Sequence, residues 1–311
     1  MVATSPVLIL VFNRPDLTRQ LMEAIRPFAP ARLFVASDGP RASEAGEDLL
    51  VQECRDIVMS EIDWPCEVET FFQPENVGLA QHIPAALDWV FERVDRIVML
   101  EDDCIPHPDF FGYCDQLLER YADDPRVWCI LGDNSAKMPT PGPYSYSFSK
   151  YALPVWGIAI WKRSWARHDR ELLNWEKIRG TSEEKRLWRN RRERSLMASL
   201  LDKVKYVDNH SWAYPWMFSV DYRRGVAIVP RVNLISNVGH GRPDATHTRG
   251  RSLRSAFPTS GILPLQHPPR VKRNRRGERF VRDGRLFGLK KLSPWYQVKK
   301  RLRKTIRRWK P

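Results

Sequence analysis

Residues 96–104 constrain the fold of this chain more than any other stretch. An uninterrupted apolar run, Ile-Val-Met-Leu, is typical of a strand that is buried on both faces. The run ends in three consecutive acids, Glu101, Asp102 and Asp103, which an apolar core would not tolerate. Two prolines within the next five residues then stop the strand. The pattern predicts a central strand that delivers a cluster of carboxylates to its carboxyl end.

Acidic side chains in that position are typical of a cation site. In open α/β sheets, ligands bind outside the carboxyl ends of the strands. One or two carboxylates are enough to hold a divalent cation that also carries substrate phosphates. A solvated acidic turn is the alternative, and the buried strand before the acids favours the ligand site over it.

Further apolar runs alternate with helical patterns along the chain. Strands are predicted at residues 7–12, 33–36, 67–72, 127–131 and 226–230. Helices are predicted after Pro15, over about residues 44–62, from Pro84, and over about residues 109–121. This alternation predicts an α/β fold with a mostly parallel, Rossmann-like sheet that is flanked by helices.

Polar residues follow these strands at the points where ligands bind in such sheets. Arg14 lies between the first strand and a helix that begins with Pro15, so an anion could meet both a guanidinium and helix amides. Asp38 follows the second strand and suits either a hydrogen bond to a base or ribose or a plain Asx turn. His82 comes just before the helix that restarts at Pro84, where a lone histidine is more often structural.

The amino-acid composition of the 311-residue chain changes after residue 135. Aromatic residues concentrate near residues 154–165, where large rings either stack on sugars or form core, and they recur at residues 211–216. Residues 237–248 are typical of a flexible loop, and its two histidines, His240 and His247, could reach a metal. We therefore divide the chain into residues 1–135, 136–250 and 251–311.

The last of these segments is strongly basic. The net charge is +14, and residues 268–311 hold 18 Lys and Arg against 2 Asp and Glu, so the preceding 267 residues sum to −2. An amphipathic helix in this tail is predicted by the spacing of Trp295, Val298, Leu302, Ile306 and Trp309. A basic helix with Trp on its apolar face is typical of an anionic membrane surface. Nucleic acid would leave the apolar stripe unexplained, and a disordered tail is the third alternative.

Cysteine usage and hydropathy exclude several classes of protein. Five irregularly spaced cysteines without a CxxC pair indicate reduced thiols and argue against structural zinc. Twelve Trp exclude a disordered chain. No apolar run reaches the ~18 residues of a membrane span, and residues 7–12 have the length of a strand rather than a signal peptide. We expect a cytoplasmic protein held at the inner face of the membrane by its tail.

With these residues in hand, the chain resembles GT-A glycosyltransferases, specifically the relatives of N-acetylglucosaminyltransferase I (glycosyltransferase family 13 and its bacterial look-alikes). The matching pieces occur in the family's order and cover residues 6–135. They are residues 6–14, 37–39, the segment ending in His82, residues 98–108 with Glu-Asp-Asp, residues 109–111 and residues 125–129. Trp156-Gly157, residues 211–217 and the 237–248 loop extend the resemblance more loosely. Each motif is weak alone, and the ordered set is fairly specific.

The resemblance implies a nucleotide-sugar donor, a UDP-sugar, bound with Mn²⁺ or Mg²⁺, and a glycan or lipid-linked glycan as acceptor. The first segment would hold the donor and the second the acceptor. Asp103 would ligate the metal, with His240 or His247 as a further candidate ligand. Asp102 would face the ribose and Glu101 the donor sugar. The other nucleotide-sugar-binding positions implied by the resemblance are Phe12, Arg14, Asp38, His82 and Trp212.

One position departs from the family's pattern. The acid after Trp in the family's Trp-Asp segment is the expected catalytic base, and this chain has Trp212-Ala213. Alanine cannot accept a proton, and loss of a general base costs about 10²–10⁴-fold in rate. Three explanations stay open: Asp208 or Asp221 replaces the base, the alignment slips locally, or the chain binds donor without efficient transfer.

Taken with the acid cluster, the resemblance implies a metal-dependent, inverting hexosyl- or N-acetylhexosaminyltransferase of polysaccharide biosynthesis. A sugar nucleotidyltransferase is the alternative among enzymes, although Asn13-Arg14-Pro15 is not the Gly-rich, basic phosphate loop expected after its first strand. A donor-binding or scaffold protein at the membrane surface is the third hypothesis. Nucleic acid is not an expected partner.

Overall fold

The computed structural model describes residues 4–152, 156–207, 211–239, 242 and 257–284. The strands in this part of the chain are β1 (Val7–Val11), β2 (Arg32–Ser37), β3 (Glu67–Phe72), β4 (Arg96–Glu101), β5 (Cys104–Pro106), β6 (Val127–Leu131), β7 (Tyr146–Ser149), β8 (Ile158–Trp161), β9 (Val226–Pro230) and β10 (Ile235–Asn237). The helices are α1 (Pro15–Ile25), α2 (Glu47–Glu61), α3 (Leu79–Phe91), α4 (Asp109–Arg120), α5 (Lys162–Trp165), α6 (Leu173–Ile178), α7 (Ser182–Leu187), α8 (Arg191–Tyr206), α9 (Ala213–Tyr222) and α10 (Arg275–Gly284).

Eight of the strands form one sheet in the order β3-β2-β1-β4-β8-β6-β9-β7. The pairs among β3, β2, β1 and β4 are parallel, and β6 is parallel to β9. Because β8 is antiparallel to both β4 and β6, those two strands share one direction. Only β7 and β8 run against the rest of this sheet. The prediction of a mostly parallel, Rossmann-like α/β sheet flanked by helices is confirmed.

Alternate residues of the central strands supply two cores, one on each face of the sheet. On β1, Ile9 packs on the face that is covered by α1, α2 and α4, whereas Leu8 packs on the face covered by α3 and α9. Burial of each such side chain contributes about 1.5–3 kcal/mol. Because helices cover both faces of the sheet, a ligand can reach it only along the edges that are formed by the ends of its strands. The carboxyl ends of β1, β2, β4, β6 and β9 all meet at one of these edges.

The aromatic residues of the second half are mainly core. Trp175, Trp188 and Phe218 are almost fully buried between α6, α8 and α9, where they form a third apolar cluster. Trp156, Trp161 and Trp165, in the stretch predicted to be rich in aromatic residues, are also buried, which matches the core alternative rather than an open platform for sugars. Strands from both sides of residue 135 lie in the same sheet, and the predicted division into 1–135, 136–250 and 251–311 stays a prediction.

Several predicted features lie outside the described residues, namely the tail helix around residues 295–309, Asp208, His240 and His247. All five cysteines are free thiols. In the part of the chain that the structure describes, no helix combines the length and the apolar character that crossing a bilayer requires.

Candidate active site

The acid cluster lies at the carboxyl edge of the sheet, where β4 ends between β1 and β8. Glu101 is the last residue of β4 and is half-buried. Asp102 is only 2% exposed, whereas the Asp103 side chain keeps 15% of its surface exposed. The local sequence explains the placement, because the apolar run keeps β4 in the sheet and the charges force the chain out of it.

Arg14 closes over this cluster from the neighbouring strand end. It follows β1, which pairs directly with β4. Its Nε lies 3.2 Å from Oδ2 of Asp102, and its terminal nitrogens contact Oδ1 of Asp102 and, at 3.1 Å, Oδ2 of Asp103. The structure therefore brings three predicted site residues together. A bound diphosphate would compete with the two carboxylates for this guanidinium.

Three carboxyl groups share this cluster with one guanidinium. Burial raises the pKa of Glu101 to about 8, and repulsion from Asp103 and Asp102 acts in the same direction. Burial also raises the pKa of Asp102 to about 7, although attraction to Arg14 opposes this rise. Since desolvation and like charge both disfavour the ionised acids, a cation at this position would stabilise them.

The second half of the chain reaches the cluster through β10. This strand pairs antiparallel with β5 and places Asn237 opposite Cys104. Asn237 Nδ2 donates to Oδ1 of Asp103 at 2.9 Å. A Cβ on Gly239 would lie 2.4 Å from Oδ2 of Asp103 and 2.8 Å from a terminal nitrogen of Arg14, so a larger residue there would displace these two side chains. Sequence analysis identified the 237–248 loop but did not predict these two contacts. The Asn237-Val238-Gly239 run was the sequence feature that could have indicated them.

The carboxylates of this site suit a divalent cation that binds together with a phosphate-containing ligand. Within the described ranges, no three His, Cys, Asp or Glu side chains are arranged to hold a metal ion. Asp103 offers a partly exposed carboxylate beside buried Asp102. Hard cations such as Mg²⁺ and Mn²⁺ bind through one or two carboxylates and complete their shells with phosphate and water oxygens. The oxygen donors present are of the right kind, and Mn²⁺ stays a prediction.

Asp38 fixes a loop at this rim. Its Oδ1 accepts from the backbone N–H groups of Gly39 and Val77, at 2.9 and 3.0 Å. Its Oδ2 accepts from the Gly78 N–H at 2.9 Å and from Asn76 Nδ2 at 3.2 Å. These donors use the roughly four acceptor sites of a carboxylate. An Asx turn does not form, because residue 40 is proline and has no N–H to donate. The carboxylate links its own strand end to residues 76–78 instead, and the contact to base or ribose stays a prediction.

Asp38→Asn should loosen this rim, because asparagine replaces one acceptor oxygen by an NH₂ group that faces the Gly78 N–H. Hydrogen bonds to a charged group contribute about 1.5–3 kcal/mol each. We expect the free energy of unfolding to fall by about 2 kcal/mol, as measured by urea unfolding. Asp123→Asn, at an exposed carboxylate on another loop, is the matched control. Equal stability of the two variants would contradict this role of Asp38.

His82 lies inside α3, which begins at Leu79, so the prediction that it precedes the helix was wrong. Pro84 is accommodated within the same helix. The His82 ring is 5% exposed and stacks on Phe71 with the ring centroids 5.9 Å apart. Neither ring nitrogen has a hydrogen-bond partner in the described part of the chain, and burial lowers the His82 pKa. An unsatisfied buried imidazole is costly, and the contact of His82 to a nucleotide stays a prediction.

The two aromatic candidates differ in position. Phe12 is half-buried directly after β1, with the Arg41 guanidinium 5.7 Å from the centre of its ring. Trp212 is 4% exposed and packs edge-on against Trp165. Trp212 therefore belongs to the core just before α9, whereas Phe12 lies at the rim beside Arg14.

The structure does not bring the candidate base Asp221 to the acid cluster. Asp221 lies near the end of α9, where its carbonyl accepts from the Arg224 N–H just before β9 begins. This is the amino edge of the sheet, opposite the acids. There Asp221 Oδ2 accepts from Lys150 Nζ at 3.2 Å and from Trp188 Nε1 at 2.8 Å. Asp221 thus serves a buried ion-pair network, and its prediction as a base is corrected.

Comparison with known proteins gives remote structural likenesses. No protein-family model matches the sequence, and no curated protein matches it. Similar solved structures include HddC from Yersinia pseudotuberculosis, at 11% identity and a TM-score of 0.31 over 51% of this chain and 78% of that chain. A putative glucose-1-phosphate thymidylyltransferase from Bacillus anthracis, in complex with a sucrose, matches at 12% identity and a TM-score of 0.31. The match covers 57% of this chain and 84% of that chain. A UDP-glucose pyrophosphorylase complexed with UDP-glucose matches at 10% identity and a TM-score of 0.26. The match covers 48% of this chain and 59% of that chain. These identities and TM-scores are too low to assign this chain to a family or an activity.

Proposed function

We propose that this chain is a metal-dependent glycosyltransferase that moves a sugar from a UDP-sugar to a glycan or lipid-linked glycan. The observation that carries the proposal is the convergence of Arg14 and Asn237 on Asp103 at the carboxyl end of β4. This arrangement combines a cation-binding carboxylate with a guanidinium at the edge where α/β sheets bind ligands. The resemblance of residues 6–135 to GT-A glycosyltransferases agrees with it.

Each part of the site has a role in this proposal. Asp103, with Asp102 beside it, would hold Mn²⁺ or Mg²⁺, and the ion when bound offsets the charge of the departing diphosphate. Arg14 would exchange its contacts with the acids for diphosphate oxygens. Glu101 would accept hydrogen bonds from the hydroxyls of the donor sugar, and His82 would supply a hydrogen bond to the nucleotide.

A sugar nucleotidyltransferase is the second candidate. Two of the remotely similar structures carry names of that kind, a UDP-glucose pyrophosphorylase and a putative glucose-1-phosphate thymidylyltransferase. The connection between β1 and α1, however, consists of Phe12, Asn13 and Arg14 alone. It is too short for a glycine-rich loop whose backbone N–H groups would cradle a triphosphate. We therefore place glycosyl transfer first.

Calorimetric titration with a panel of UDP-sugars, with and without Mn²⁺, tests the proposal, followed by product analysis. We expect metal-dependent binding of at least one donor and release of UDP when a glycan acceptor is added. Formation of pyrophosphate from UTP and a sugar phosphate would establish nucleotidyl transfer instead. Donor binding without any turnover would indicate the scaffold hypothesis. Absence of metal-dependent binding across the panel would overturn the proposal.

Peripheral attachment to an anionic membrane through residues 295–309 is part of the same proposal and rests on the sequence. Each basic residue near an anionic surface contributes about 1 kcal/mol. Sedimentation of the full chain with vesicles that contain phosphatidylserine, compared with neutral vesicles, tests this part.

A further inference from the structure

The proposed transfer requires a group that accepts the proton of the acceptor hydroxyl, and the matching position holds Ala213. Asp221 is engaged at the opposite edge of the sheet. On the side of β4 that faces away from Arg14, the carboxyl edge is formed by the ends of β6 and β9 and the starts of β7 and β8. Among the described residues that directly adjoin these strand ends, the acid is Asp133, the second residue after β6.

The strand register places Asp133 level with Glu101. Ile158 of β8 pairs with Met99 of β4 on one side and with Leu131 of β6 on the other. These three residues form one row across the sheet. Glu101 and Asp133 each follow that row by two residues, on strands that run in the same direction. Both acids therefore leave the sheet at the same height of the carboxyl edge.

The separation of these strands suits a sugar ring and an attacking hydroxyl. Because β8 lies between β4 and β6, the backbones of these two strands are two strand spacings, or about 9–10 Å, apart. In inverting glycosidases the two carboxyl groups stand roughly 6.5–9.5 Å apart, which leaves room for the nucleophile on the far face of the sugar. A base for sugar transfer likewise lies across the sugar from the leaving group, within hydrogen-bond reach of the acceptor hydroxyl. The backbones at Glu101 and Asp133 therefore lie about two strand spacings apart, a gap wide enough for a sugar ring between the two acids.

Local contacts hold the Asp133 carboxylate in place. The Gly132 N–H donates to the Gly157 carbonyl at 2.9 Å, and the Leu234 N–H donates to the Gly132 carbonyl at 3.0 Å. The end of β6 is thus fixed between two neighbouring segments. Asp133 Oδ1 accepts from the Ser135 N–H at 2.7 Å, and Oδ2 accepts from Ser135 Oγ at 3.2 Å. Because Ser135 contacts both oxygens, the carboxylate has a defined orientation at the rim.

We propose that Asp133 is the general base of the transfer, an inference that rests on the proposed function. The O–H bond of the acceptor breaks and its proton moves to the Asp133 carboxylate. The acceptor oxygen forms a bond to the anomeric carbon from the face opposite the diphosphate. The bond from that carbon to the diphosphate oxygen breaks, and its electron pair leaves with UDP. Asp133 then returns the proton to water.

Asp133→Asn tests this role, with Asp123→Asn as the control. Asp123 is an exposed carboxylate just before the other end of β6. We expect Asp133→Asn to bind the UDP-sugar and Mn²⁺ as the parent does, while kcat falls about 10²–10⁴-fold. Asp133→Glu should recover part of the rate, and Asp123→Asn should behave as the parent.

The outcomes separate this inference from the function on which it rests. If the parent transfers sugar and Asp133→Asn does so equally fast, Asp133 is not the base while the proposed function stands. If donor binding and thermal stability fall together with kcat, the role of Asp133 is structural and the inference is overturned. If the parent transfers no sugar from any donor, the proposed function fails first and the inference fails with it.

Discussion

Asp103→Ala should abolish the metal-dependent binding of a UDP-sugar. Asp103 carries the partly exposed carboxylate of the cluster, and Arg14 and Asn237 both donate to it. Loss of an outer-shell partner of a metal ligand costs roughly 10–100-fold in affinity, and loss of the ligand itself should cost more. We expect calorimetry with Mn²⁺ to show a donor Kd more than ~100-fold higher than that of the parent, and sugar transfer to fall below detection.

The fold should survive this substitution. Arg14 keeps its two contacts to Asp102, and removal of the Asp103 charge relieves one of the repulsions that raise the pKa of Glu101. The thermal midpoint should therefore stay close to that of the parent. Asp123→Ala serves as the control for a lost carboxylate elsewhere. Unchanged binding of nucleotide and Mn²⁺ by folded Asp103→Ala would refute the proposed metal site.

Lys150→Met should destabilise the protein more than any other single change considered. Lys150 is 6% exposed, and its ammonium group pairs with Glu193 of α8 and Asp221 of α9. Its backbone N–H donates to Glu278 of α10 at 2.8 Å. Removing one partner of a buried ion pair costs about 3–5 kcal/mol, because the remaining charge is left uncompensated. This is a large share of the ~5–15 kcal/mol that stabilises a typical domain.

Urea unfolding at several pH values checks this prediction. Burial raises the pKa of Asp221 against the opposing attraction of Lys150, so loss of the lysine should raise it further. The variant should therefore recover stability as the pH falls and Asp221 takes up a proton, and the difference from the parent should be larger at pH 8 than at pH 5. Lys203→Met, at an exposed lysine of α8, is the control. A loss below ~1 kcal/mol at pH 8 would contradict the network.

Several strands and helices could be predicted from local patterns in the sequence. β3, β6 and β9 have the predicted bounds, and α4 ends one residue before the predicted position. These segments follow from periodicity, because a buried strand needs a continuous apolar run and a helix needs apolar residues every three or four positions. β7 was missed, since Tyr146–Ser149 follows a loop rich in proline and glycine. Its four buried residues owe their conformation to pairing with β9.

The sequence by itself determined that a buried strand ends in three acids, that Arg14 follows another buried strand, and that the matching base position holds alanine. Only the tertiary structure decided which strand ends meet. By inserting β8 between β4 and β6, it set Asp133 level with Glu101. In the folded chain Asn237 contacts Asp103, although 134 residues separate them in the sequence. Asp221 lies at the amino edge of the sheet, opposite the acid cluster. The physical reason is that periodicity records which side of an element is buried, whereas strand order depends on hydrogen bonds and packing between segments that are distant in the chain.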